Sequence, residues 1–266
     1  MAPNSDSDPS SRSDSSKTLE EQKEEKVLHG DVSLRERLHH FTWTWFTTTM
    51  STSGIALLIS QTPHRFRGLT NIGEVFFILS IVMFLLYTAA ITTRFILFPK
   101  AFMASLSHPA EALFFPTFWI SIVSILSSMA AYGVPDTGQW FTVTMRILFW
   151  LYTICAFSVA VGQYFFLFTG QLFTLQSFTP AWILPIFPIM LCGTLASVLG
   201  PSQTPQYALP ILIAGLTFQG LGMILCTTFY SIYLGALMVN GLPSPSTRPR
   251  MFVAVSTDII VCNGLY

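Results

Sequence analysis

Charge is scarce in this chain. Asp, Glu, Lys and Arg make up 10% of its 266 residues, where an ordinary soluble domain carries about 25%. The few charges are also crowded to one end: 15 of the 26 precede residue 41. The formal net charge is zero, so no basic face invites nucleic acid as a partner. Walker lysine loop, HExxH, GxSxG and dinucleotide fingerprint are all missing, so the sequence offers no catalytic residues and no cofactor site. The four cysteines, Cys155, Cys192, Cys226 and Cys262, form no CxxC pair, and we assign them neither a disulfide nor a metal. There is no N-x-Ser/Thr sequon for N-glycosylation, and no apolar run opens the chain as a signal peptide would. No apolar stretch carries a regular arginine ladder, which excludes a voltage-sensor helix.

What remains is hydrocarbon. Hydrophobic residues make up 52% of the chain, and Phe alone occurs 24 times. Six stretches near 43–60, 75–98, 112–132, 147–168, 181–199 and 208–238 are almost uncharged. Crossing the hydrocarbon of a bilayer takes about 20 apolar residues at about 1.5 Å each. These stretches predict an all-α integral membrane protein with the lipid bilayer as its solvent. The leading hydroxyl-rich and acidic piece at 1–40, with LEEQKEEKV at 19–27, is expected to be a disordered cytoplasmic tail, because it buries too little apolar surface to offset chain entropy.

Positive charge sets orientation. With the N-terminus in the cytoplasm, that side receives Arg35, Arg37, Arg94, Lys100, Arg248 and Arg250, and the other receives Arg65, Arg67 and Arg146. Six against three favours a cytoplasmic N-terminus. Trp43, Trp45, Trp140 and Trp182 fall at span ends, as interfacial anchors do.

The spans alternate in character. The first, WTWFTTTMSTSGIALLIS, holds eight Thr or Ser and a Gly; the third opens at His108-Pro109 and carries Pro116 one turn in; the fifth carries Pro185 and Pro188 after Pro180. The second, fourth and sixth are longer and more evenly apolar. The short spans begin near 43, 112 and 181, a spacing that reads as a repeated hairpin of one interrupted and one lipid-facing helix. A proline leaves a carbonyl without its helical donor. Neighbouring helices can meet a single kink of that kind; three in register predict helices beside a wetted path.

The candidate pathway residues are therefore Thr49, Thr52, Ser53, Gly54, His108, Glu111, Pro116, Pro185 and Pro188. Hydroxyls can coordinate a solute, or bond back to carbonyls one turn earlier. His108 and Glu111, three apart on one face, are either a proton-handling pair at an entrance or a helix-start device that complements the macrodipole. Arg146 either attracts anions or snorkels to headgroups, and Arg94 and Lys100 read as orientation signals.

The stretches RERLHHFTWTWFTTTMSTSGIALLI, RFRGLTNIG, YGVPDTGQW, MRILFWLY, TPAWILPIFPIMLCG, LTFQGLGM and RPRMF resemble the tellurite-resistance/dicarboxylate transporter family, also called the voltage-dependent anion channel family. HFTW, PDTG-W and PAWILPIFP fit its fungal malic acid branch. The resemblance implies ten helices in five hairpins around a central pore lined by the odd-numbered helices, six of them present here. It also implies a homo-trimer in the plasma membrane. The activity it implies is transport of C4-dicarboxylates such as malate, as a monoanion or with protons, with sulfite or another small-anion efflux as the alternative. The transporter domain is expected at 41–254. At 255–266 the sequence departs from the family's pattern, so a truncated, non-transporting product is a further expectation. The family's gating phenylalanine lies on the ninth helix, and no residue here matches it.

Overall fold

The computed structural model describes residues 41–64, 66–99, 105, 109–135, 137–170 and 178–242. The tail expected at 1–40, the segment at 255–266, and Arg65, Lys100, His108, Arg248 and Arg250 lie outside the described residues. Those described form helices and turns only. There are six principal helices: α1 (Phe46–Gln61), α2 (Leu69–Leu97), α3 (Pro116–Gly133), α4 (Gln139–Gly170), α5 (Phe187–Leu199) and α6 (Pro205–Asn240).

They form three antiparallel hairpins. Thr48 meets Tyr87 and Thr52 meets Met83 across α1 and α2. Tyr152 and Gln163 of α4 reach the carbonyls of Trp119 and Ala112, in that descending order along α3 and the turn before it. Gly200, Gly193 and Gly222 pack on Leu212, Gln219 and Met190 across α5 and α6. The hairpin turns have local causes. Gly68 takes φ 97° just before α2, a conformation that costs any residue with a Cβ. Pro205 opens α6 at a position where its missing N–H costs nothing.

The odd helices share one design. Each α-helix follows a distorted lead-in: a 3-10 turn at Trp43–Trp45, a single helical turn at Pro109–Ala112, and a 3-10 segment at Pro180–Ile186. The helices proper begin at Phe46, Pro116 and Phe187, so the repeat anticipated near 43, 112 and 181 recurs in the backbone. α1 has only 16 residues, about 24 Å at 1.5 Å each. Its lead-in adds about 6 Å, which brings the rod to about the thickness of the hydrocarbon. The other five helical stretches are long and apolar enough to cross by themselves.

Two even helices start earlier than the hydropathy suggests, α2 at Leu69 rather than 75 and α4 at Gln139 rather than 147. Glu74 and Arg146 looked like span borders. In the structure they are the sixth and eighth residues of long helices. The sixth span also carries a proline, Pro210, inside α6 near its start.

Burial separates the two sets. The α5 stretch is 83% buried, that of α2 only 11%. Ile183, Phe187, Met190 and Leu195 pack with Ile120, Val123, Phe149 and Tyr152 in one core centred on α5. A smaller core of Trp43, Phe46 and Ile91 closes the α1 side. The outer faces of α2, α4 and α6 expose large apolar side chains such as Leu85, Phe166 and Ile224, as helices facing lipid chains do.

Candidate functional site: the inner helices and their lead-ins

A hydroxyl ladder sets α1 against α3. Thr117 donates to the carbonyl of Trp43 at 2.8 Å, Ser121 to that of Phe46 at 2.9 Å, Ser128 to that of Ser53 at 3.2 Å, and Tyr132 to that of Ala56 at 2.6 Å. The donors, at 117, 121, 128 and 132, occupy one helical face. Donor and acceptor numbers rise together, so α1 and α3 run parallel. Ser53 adds a hydroxyl contact to Ser128 at 3.0 Å. Ser53 and Thr49 therefore face α3 and are wholly buried. Thr49 Oγ1 has no partner there.

On the rest of α1 the hydroxyls bond to their own helix. Thr47, Thr48, Ser51 and Thr52 donate to the carbonyls of Thr44, Trp45, Thr47 and Thr48. Thr52 also touches Met83 Sδ at 3.9 Å. Gly54 has open space where a Cβ would stand.

The prolines at the breaks are answered from α4. Pro116 cannot donate to the Ala112 carbonyl one helical turn back; Gln163 Nε2 donates to it at 2.5 Å. In 3-10 geometry Pro185 would have served the Trp182 carbonyl; Tyr164 Oη serves it at 3.1 Å. Tyr152 also bonds the Pro188 carbonyl at 3.0 Å, which no proline leaves free, while the Leu184 carbonyl four residues before Pro188 accepts the Phe187 N–H. Pro116, Pro185 and Pro188 are all buried. These carbonyls are thus engaged by neighbouring side chains, and the donors Tyr152, Gln163 and Tyr164 gave no sign of themselves in an evenly apolar span.

Glu111 meets a residue that sequence reasoning did not pair with it. His108 lies outside the described residues, while Arg94, in the last turn of α2, holds Glu111 Oε1 at 2.6 Å. The same Arg94 Nη1 donates to the Phe41 carbonyl at 2.5 Å. Arg94 is 6% exposed, its guanidinium lies 5.8 Å from the Phe95 ring centroid, and its Nε is buried without a partner. One guanidinium thus ties together the approach to α1, the end of α2 and the lead-in to α3. The available signal was a cation closing one long apolar span and an acid opening the next. At the other end of the bundle, Arg146 stacks over the Tyr207 ring at 3.8 Å, a cation–π contact, and Gln203 bonds the Thr142 carbonyl at 3.0 Å. Among the described residues no cluster of His, Cys, Asp or Glu fits a metal ion.

Three hairpins of apolar helices, with interrupted inner rods packed in parallel and outer partners that expose apolar faces, define an integral membrane protein built from helical hairpins. The profile of the voltage-dependent anion channel family matches residues 40–262, and the chain belongs to that family. The match runs past 255, into the segment set apart in the sequence reading. The chain is 38% identical to the malic acid transport protein of Schizosaccharomyces pombe over 224 residues, 84% of this chain and 51% of that protein. A putative malic acid transport protein of the same yeast is 36% identical, over 85% of this chain and 52% of its own. The sulfite efflux pump of Trichophyton rubrum is 29% identical, over 74% and 53%. The chain spans about half the length of the curated relatives it matches. No solved structure matches it.

Proposed function

We propose that this chain carries C4-dicarboxylate anions, malate foremost, across the plasma membrane with its N-terminus in the cytoplasm. The observation that supports malate is the gap in identity: 38% and 36% to the two malic acid proteins, against 29% to the sulfite pump over a shorter stretch. The family relationship supports an anion as cargo and, by resemblance, a homo-trimer and a pathway beside the inner helices.

Charge constrains the form in which malate moves. Each elementary charge crossing 100 mV exchanges about 2.3 kcal/mol. Importing a dianion against an inside-negative potential therefore costs about 4.6 kcal/mol, more than about a thousandfold in gradient. Uptake as a monoanion, or with protons, removes part or all of that cost. Outward movement of a small anion runs with the potential, which makes sulfite efflux the second reading, favoured by the 29% identity over 199 residues.

Reconstitution of the purified chain in liposomes tests both. Labelled malate is expected to accumulate in loaded vesicles faster than in protein-free ones, and an inward proton gradient is expected to raise the rate. Sulfite flux without malate flux would replace the first reading by the second.

A further inference from the structure

The Arg94–Glu111 pair lies beside two unsatisfied groups. Arg94 Nε and Gln163 Oε1 are both buried with no partner. Arg94 grips Glu111, and Gln163 grips Ala112, the next residue. A buried donor and a buried acceptor thus stand unused around one dipeptide, which few native structures tolerate without a reason. Arg94 makes both of its hydrogen bonds through Nη1. The fork that best fits a carboxylate uses two parallel N–H donors, and here half of that capacity is idle.

We propose that Arg94 is a docking point for a carboxylate of the transported acid, and that Glu111 is an internal carboxylate holding the place until it is protonated. This rests on the dicarboxylate reading above. The physical reason is neutrality. A buried guanidinium stripped of its carboxylate is costly, and so is one carboxylate too many beside it. Glu111 is released when a proton that arrives with the acid along the pathway neutralises it, and the substrate carboxylate then takes Arg94. The protonated Glu111 needs an acceptor for its new O–H, and Gln163 Oε1 is an acceptor of the right kind on the adjoining element. At the cytoplasmic end, where the proposed orientation puts the pair, the order reverses: the substrate leaves, Glu111 gives its proton to water and returns to Arg94. One proton and one carboxylate travel together, and no bond other than O–H forms or breaks.

Among the described residues the charged and titratable groups around Glu111 are few; Lys100, six residues after Arg94, lies outside them. From α2 it faces Arg94, with Tyr87 two turns earlier on that helix against the Phe41 ring. The approach to α1 offers the Phe41 carbonyl, and α4 offers the neutral Gln163. His64, Arg67, Glu74 and Arg146 belong to the opposite ends of their hairpins. His108, three residues before Glu111, lies outside the described residues.

The test is malate uptake by the purified chain in liposomes with a pH-sensitive dye sealed inside. Wild-type protein is expected to acidify the lumen as malate arrives. Glu111→Gln, a permanent mimic of the protonated acid, is expected to lower malate uptake and to abolish both the acidification and the response of the remaining flux to an imposed pH gradient. Arg94→Lys, which keeps the charge but loses the fork, is expected to raise the malate concentration for half-maximal uptake about tenfold, as the loss of one charge-assisted bond would. Should the substitutions not fold, calorimetry of malate binding to wild-type protein in two buffers of different ionisation enthalpy gives the same answer, with about one proton expected to be taken up per malate. Unchanged acidification in Glu111→Gln, an unchanged malate dependence in Arg94→Lys, or no proton uptake on binding overturns the proposal while leaving the malate reading in place. No malate uptake by wild-type protein overturns both.

Discussion

Gly73 and Tyr132 illustrate how tightly single atoms are placed. The Tyr132 hydroxyl reaches the Ala56 carbonyl at 2.6 Å, passing over α2 where Gly73 sits. A Cβ on Gly73 would fall 1.9 Å from Tyr132 Oη and 2.7 Å from its Cζ. Gly73→Ala is therefore expected to destabilise the protein by about 1–3 kcal/mol, as overpacking does. Tyr132→Phe alone is expected to cost about 0.6 kcal/mol, the usual worth of a hydrogen bond between membrane helices. In the double variant the hydroxyl clash disappears and the ring clash stays, so part of the loss is recovered. Thermal unfolding in detergent of the two single variants and the double closes the cycle; strictly additive losses would refute the contact. Gly54 is the contrasting case. Nothing stands within 4 Å of its would-be Cβ, and helix propensity alone makes Gly54→Ala stabilising by about 0.5–1 kcal/mol. If Gly54 serves transport as a flexible point, malate flux falls while the melting temperature rises. A variant that gains stability and keeps full flux removes Gly54 from the pathway.

Individual helices show which parts of this arrangement a sequence can carry. Each span, its approximate place and the short–long alternation follow from hydropathy and from where the prolines sit, because a bilayer demands length and proline forbids a continuous ladder. The ends of α2 and α4 were not legible: Glu74 and Arg146 look like borders, and only the Arg146–Tyr207 stack explains how a cation sits inside a helix at the membrane edge. The hydroxyls of Thr49, Thr52 and Ser53 were legible as unusual, but not their direction, since one face of α1 meets α3 and another meets α2. The answering donors on α4 were invisible, because Gln163 and Tyr164 have no pattern of their own; they matter only against breaks elsewhere. That complementarity can be tested. Tyr164→Phe removes the hydroxyl that bonds the Trp182 carbonyl in the core and is expected to lower stability by about 1 kcal/mol. Replacing Pro185 by Ala in that background supplies a backbone N–H for the same carbonyl, and stability is expected to recover. If Pro185→Ala worsens Tyr164→Phe instead, the two do not share an acceptor.

For the molecule as a whole, the hairpins make a demand on topology stronger than any count of charges. The turns after α1, α3 and α5 must all emerge on one side, because the odd rods run in one direction and the even rods return. Phe66 is 62% exposed in the first of these turns; Gly138 and Thr204 belong to the second and third. Among the described residues Cys192 and Cys226 are buried and Cys155 is half-buried within α4, so in a Cys262→Ser background a membrane-impermeant maleimide is expected to find new cysteines in the turns first. Phe66→Cys, Gly138→Cys and Thr204→Cys are expected to react as a set. With the N-terminus in the cytoplasm they react on intact cells, and a tag fused before Met1 is protected until the membrane is opened. Reaction of all three only after permeabilisation would reverse the orientation and leave the fold intact. Reaction of one from the opposite side to the others would break the hairpin repeat itself, and with it the parallel packing that aligns the lead-ins of the inner helices. Release of the whole chain by alkaline carbonate would go further, because helices with exposed faces such as those of α2 and α6 cannot remain in water as they stand.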